Sequence, residues 1–87
     1  MISHINRQWK KLYKIIPINI KELAKKQYKL FKENPYHASL HFKKIHSNKQ
    51  IFSARINLNY RTIGILHENT IIWFWIGSHD EYERMIK

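Results

Sequence analysis

The sequence predicts an α+β fold in which two N-terminal helices pack on a four-stranded antiparallel sheet closed by a short C-terminal helix. Three observations carry this. Apolar residues recur at helical spacing through the first third of the chain. They alternate with polar residues between short turns in the remainder. Ile71-Ile72-Trp73-Phe74-Trp75-Ile76 is an unbroken run of β-branched and aromatic residues, bounded by Glu68-Asn69-Thr70 and Gly77. A run that short reads as a strand covered on both faces rather than as a helix.

The elements follow in order. Ile5, Trp9, Leu12, Tyr13 and Ile16 make one apolar stripe, with Arg7, Lys10, Lys11 and Lys14 between them. This predicts a first helix over about residues 4–15, ended by Pro17. Asn19 with Glu22 reads as a capping box opening a second helix. Ile20, Leu23, Ala24, Gln27, Leu30 and Phe31 form its buried stripe, Lys21, Lys25, Lys26, Lys29 and Lys32 its solvated face, and Asn34-Pro35 its stop. Leu40 and Phe42 alternate with Ser39, His41 and Lys43, predicting a strand over 39–45. Residues 51–58 alternate likewise, Tyr60 to Leu66 makes a third strand, and the apolar run makes the fourth. Short turns between successive strands predict an antiparallel meander. Ser78 as N-cap with Glu81 three residues on predicts a final helix from Asp80 to Ile86.

At 87 residues the chain is read as one domain spanning 1–87. An apolar content of 44% supplies one core and argues against disorder. There is no cysteine, so no disulfide framework and no thiolate metal site. No apolar run reaches the roughly 18 residues of a membrane span. Met1 to Lys11 is polar and basic, without the apolar stretch of a secretory signal, and a cytoplasmic location is expected. Sixteen Lys and Arg oppose six Asp and Glu, a net charge of +10. Such an excess attracts a polyanion: nucleic acid, an acidic protein or an anionic membrane surface. Lysine excess is also a means of staying soluble.

The polar side chains narrow the chemistry. By alternation His41, Lys43, Ser53 and Arg55 share the sheet face opposite the helices, a candidate groove for an RNA backbone. Arg61 takes the other parity but starts its strand, where a long side chain reaches round the edge. His79 and Tyr82 follow the last strand. RNA cleavage by an internal 2′-hydroxyl needs a base for that hydroxyl, positive charge on the phosphorane and a proton for the leaving oxygen. Arg55 and Arg61 suit the charge, because guanidinium holds phosphate bidentately. His79 suits proton transfer, and Tyr82 is the weaker second group. The plainer alternatives stand beside these: a helix-cap position for His79, core packing against Trp75 for Tyr82, carbonyl bonding for the arginines. His37-x3-His41 lacks the carboxylate or cysteine that would complete a tetrahedral set, so no metal and no cofactor is expected.

The second half also carries a resemblance. Pro35-x-His37-x-Ser39-Leu40-x-Phe42-Lys43-Lys44, Phe52-Ser53-Ala54-Arg55-Ile56-Asn57, Tyr60-Arg61 and Trp75-Ile76-Gly77-Ser78-His79-x-Glu81-Tyr82 together resemble the RelE/ParE superfamily of type II toxin–antitoxin toxins. The resemblance implies a bacterial toxin neutralised by an acidic antitoxin. RelE-like members cut mRNA on the ribosome, and ParE-like members poison DNA gyrase. Arg61 matches an arginine that contacts the scissile phosphate in the nucleases. His79 falls where they keep an arginine or histidine, and Tyr82 near their C-terminal tyrosine. The lysine pair of the best-known RelE proteins is absent, and Phe52 and Ala54 occupy its region. A metal-independent endoribonuclease acting at the ribosome is the first reading. A gyrase inhibitor and a basic nucleic-acid-binding module are the alternatives.

Overall fold

The computed structural model describes residues 1–86. Its elements are β1 (Ile2–Ile5), α1 (Arg7–Ile15), α2 (Ile18–Glu33), a single 3₁₀ turn (Ala38–Leu40), β2 (Lys43–Lys44), β3 (Ile51–Arg55), β4 (Tyr60–His67), β5 (Thr70–Ser78) and α3 (His79–Ile86). The expected α+β plan is present, with a five-stranded mixed sheet in place of four antiparallel strands. The strand order is β1-β5-β4-β3-β2. β2 to β5 form the antiparallel meander, and β1 adds in parallel to the outer side of β5.

Residues 4 and 5 belong to that extra strand, not to the first helix. Ile5 sits four residues before Trp9 and so extends the helical stripe by spacing, but its backbone pairs with Trp73. Asn6 is the true start of α1, its Oδ1 accepting from the Trp9 N–H at 2.9 Å. β1 is held from the helical side as well. The Ser3 Oγ accepts from the Trp73 Nε1 at 3.0 Å and donates to the Tyr28 hydroxyl at 3.1 Å. The second helix starts at Ile18 behind Pro17, with no side-chain cap, so the Asn19–Glu22 capping box does not form. Residues 39–45 are not one strand. The His37 side chain accepts from the Ser39 N–H, the chain tightens into the 3₁₀ turn, and His41 closes it with φ 45° in the left-handed region.

The helices α1 and α2 cover one sheet face. Trp9, Ile20, Ala24 and Phe31 meet Ala54, Ile71, Trp73 and Ile76 there. Edge-to-face rings of Phe31 against Phe42 and Trp73 fill its centre. The register places Ile63 opposite Trp75 and Gly64 opposite Trp73, so Phe74 is an extra residue, a β-bulge. The bulge switches parity within β5. Ile71 and Trp73 before it, and Ile76 after it, face α1 and α2. Trp75 is turned to the other face, where it packs with Ile63 and the α3 residue Tyr82. That second face is therefore partly roofed by α3.

Gly64 lies beneath the Trp73 ring. A Cβ there would come within 2.8 Å of Trp73 Cε3 and 3.0 Å of Ile71 Cγ1, both core atoms. Gly64→Ala is expected to lower stability by about 1–3 kcal/mol through overpacking, measured by urea denaturation. An unchanged midpoint would show that the Trp73 ring is free to move.

Candidate functional site

The site lies on the α3 face of the sheet, where β3 and β4 meet the first turn of α3. The connection between the strands builds it. Asn57 Oδ1 accepts from the backbone N–H groups of Asn59 and Tyr60, both at 2.9 Å. The Ile56 N–H donates to the Tyr60 carbonyl at 3.1 Å. This closed loop sets Arg55 directly opposite Arg61. Directly opposed residues of an antiparallel pair project to the same face, so Arg61 does not take the other parity expected for it. Alternation cannot be counted through a loop whose bonding is unknown.

Two like charges side by side repel. Burial and the neighbouring Arg55 both push the Arg61 guanidinium below its ordinary pKa, while Tyr82 and Glu83 act in the opposite sense. Arg61 Nη1 donates to the carbonyls of Asn57 at 2.6 Å and Tyr60 at 3.1 Å, which fixes its direction. Arg55 is half-buried, and its Nε is enclosed without a hydrogen-bond partner. An unanswered cationic donor beside a second guanidinium is a natural seat for an anion such as phosphate.

The helix α3 brings the third group. Its predicted capping box is present: the Glu81 N–H donates to Ser78 Oγ, and the Ser78 N–H donates to Glu81 Oε1, both at 3.2 Å. His79 is thereby the first residue of the helix, and its N–H donates to the Asn59 carbonyl at 2.7 Å. The imidazole stacks on the Tyr82 ring at 6.1 Å between centroids. Its Nε2 lies 3.3 Å from Glu83 Oε1, and its Nδ1 is enclosed and unpartnered. Glu83 is the site residue that sequence reasoning missed. The one signal for it was the i,i+4 spacing from His79, which puts two side chains on one helix face.

The structure brings Arg55, Arg61, His79 and Tyr82 to one place, with Tyr82 packed against Trp75, its plainer reading, and Ser53 buried beneath it. Tyr82 is only 4% exposed, and its hydroxyl donates to Ser53 Oγ at 3.2 Å. Ser53 is 2% exposed. Both side chains are closed off from solvent, and the bond between them ties α3 to the sheet. Lys43 pairs with Ser53 and sits exposed at the margin of the same face. His41 is exposed in the 3₁₀ turn, off the sheet altogether. Among the described residues, no helix is long and apolar enough to cross a membrane.

A family model described as a ParE-like toxin domain matches residues 18–84. No curated protein matches by sequence. Solved structures do match. The Methanococcus jannaschii RelB–RelE antitoxin–toxin complex contains a chain 18% identical, with a TM-score of 0.75 over 95% of this chain and 98% of that one. YafQ from E. coli is 18% identical, with a TM-score of 0.73 over 92% and 94%. The Mycobacterium tuberculosis toxin–antitoxin complex RelBE2 has a chain 13% identical, with a TM-score of 0.72 over 90% and 96%. At these identities the likeness is one of fold.

Proposed function

Because this chain belongs to the ParE-like toxin domain family, we propose that it is the toxin of a toxin–antitoxin pair, an endoribonuclease that cuts ribosome-bound mRNA until an acidic antitoxin covers it. The observation that carries the nuclease reading is the Arg55–Arg61 pair facing the first turn of α3, where His79 stands. The arginines receive the scissile phosphate and stabilise the charge that builds on it. His79 accepts the proton of the 2′-hydroxyl as its oxygen attacks phosphorus. The P–O5′ bond breaks, leaving a 2′,3′-cyclic phosphate, and water protonates the departing 5′-oxygen. Nε2 is the nitrogen that takes the proton, since Nδ1 is enclosed, and the Glu83 carboxylate 3.3 Å away stabilises the imidazolium that forms. The partner reading is supported by the net charge of +10 and by relatives of the fold solved with their antitoxins.

The test is induced expression in bacteria of the wild type beside His79→Ala and Arg61→Ala, following transcript integrity and DNA damage together. Growth arrest with cut transcripts is expected. His79→Ala is expected to reduce cutting about 10²–10⁴-fold, and Arg61→Ala about 10²–10³-fold. The ParE-like description of the matching family favours a second reading, inhibition of DNA gyrase through protein contacts. Arrest with intact transcripts and a DNA-damage response would establish that one instead.

A further inference from the structure

Among the described residues, Tyr36 is the one aromatic side chain left largely in water, 75% exposed. A ring outside the core forgoes the stabilisation its apolar surface would bring. Its position is fixed all the same. The Tyr36 N–H donates to Asn34 Oδ1 at 3.2 Å, and the His37 N–H to the Asn34 carbonyl at 3.1 Å. The ring leans on Phe42, with 6.1 Å between centroids, and Phe42 is stacked on Phe52 of β3. The 3₁₀ turn that follows sets this corner beside the arginines. Its buried Leu40 lines one small cavity with Ala54 and Arg55. Lys43 pairs with Ser53, so the chain just before Lys43 runs toward the level of Arg55, two residues beyond Ser53. Register puts Lys43, Arg55 and Arg61 on one face.

The surroundings of the ring are basic. His37, His41, Lys43 and Lys44 are all exposed around the turn. Of the six carboxylates, Glu33 borders it, at the end of α2, and offsets one of those charges. Glu22 lies early in α2, and Glu68 follows the far end of β4. Asp80, Glu81 and Glu83 belong to α3; Asp80 is exposed there, Glu81 is engaged in the cap and Glu83 with His79. A single aromatic ring among cations has the make-up of a site for single-stranded nucleic acid, in which a base stacks on the ring while cations follow the phosphates. A protein partner would be met by a contiguous apolar patch instead. We propose that Tyr36 is a nucleobase subsite. Single-stranded RNA held at Arg55 and Arg61 crosses the sheet edge past Lys43, and a base a few nucleotides from the held phosphate stacks on the Tyr36 ring. That the chain is cut at the arginines rests on the nuclease reading above; the stacking does not.

The probe is a fluorescein-labelled, 2′-O-methylated single-stranded oligonucleotide of about eight residues, within the usual span of such sites. It has no free 2′-hydroxyl and cannot be cut, so anisotropy reads binding alone. Tyr36→Ala is expected to weaken binding about 5–100-fold, and Tyr36→Phe less than about twofold, because a base needs the ring face and not the hydroxyl. Abasic residues placed one position at a time locate the contact. At one position the loss is expected to be large with the wild type and absent with Tyr36→Ala, as for two groups that touch. Lys43→Gln is expected to lower the slope of log affinity against log salt by about one, whereas Tyr36→Ala leaves the slope unchanged. Thermal melting of Tyr36→Ala checks that the fold persists. No binding of the oligonucleotide, equal binding by Tyr36→Ala, or equal abasic losses in both proteins would overturn the proposal. Equal binding by Tyr36→Ala with transcript cutting intact strikes the subsite and leaves the nuclease reading standing. Stacking on Tyr36 in a protein that cuts no transcript refutes the nuclease reading alone.

Discussion

Replacing Arg55 by methionine is expected to raise the melting temperature while sharply reducing the transcript cutting proposed above. Methionine keeps the apolar stem. It removes an enclosed donor with no partner and a like charge set directly opposite Arg61. An unsatisfied buried donor costs about 1–3 kcal/mol, and opposed like charges add to that. A gain of about 1 kcal/mol corresponds to roughly 4–8 °C in a domain of this size. Cutting is expected to fall about 10²-fold, since one of two phosphate-stabilising cations is gone. Calorimetry and a transcript assay on the same preparation check both halves. A less stable Arg55→Met protein would show that the guanidinium is structural.

The second large effect is on stability. Tyr82 is the one fully buried residue of α3, and it joins Ile63 and Trp75 in the small core beneath that helix. Tyr82→Ala is expected to cost about 3–5 kcal/mol and to release α3, taking His79 and Glu83 with it. Tyr82→Phe loses only the bond to Ser53, about 1 kcal/mol, and is expected to keep activity close to wild type. Urea denaturation and transcript cutting on both variants decide the matter. An inactive but stable Tyr82→Phe protein would return the hydroxyl to the chemistry.

What could be read in advance follows from the range over which each signal acts. The Ser78–Glu81 cap, the β4 and β5 strands and the two helices rest on neighbours a few residues apart, and all were legible. The N-terminal strand was not. Its four residues become a strand only because Trp73 lies beside them, and Ile5 fits a helical stripe equally well. The bulge at Phe74 is hidden inside an apolar run that offers no alternation to interrupt. At the site, Arg55, Arg61 and His79 were identified by chemical type. Their alignment depends on the Asn57-centred loop, whose bonding no local pattern reveals. Ser53 read as a surface residue because a serine in a strand gives no sign that a tyrosine hydroxyl 29 positions later will bury it.

The parallel pairing of β1 with β5 also orders events during synthesis. Ile2–Ile5 leave the ribosome well ahead of their partner Thr70–Ser78. At about 5–20 residues per second, the first strand waits seconds for a neighbour. His79 and Glu83 arrive later still. A nascent chain therefore carries both arginines well before it carries the helix that completes their surroundings. Under the nuclease reading, the phosphate-binding pair exists on the nascent chain before its proton acceptor does.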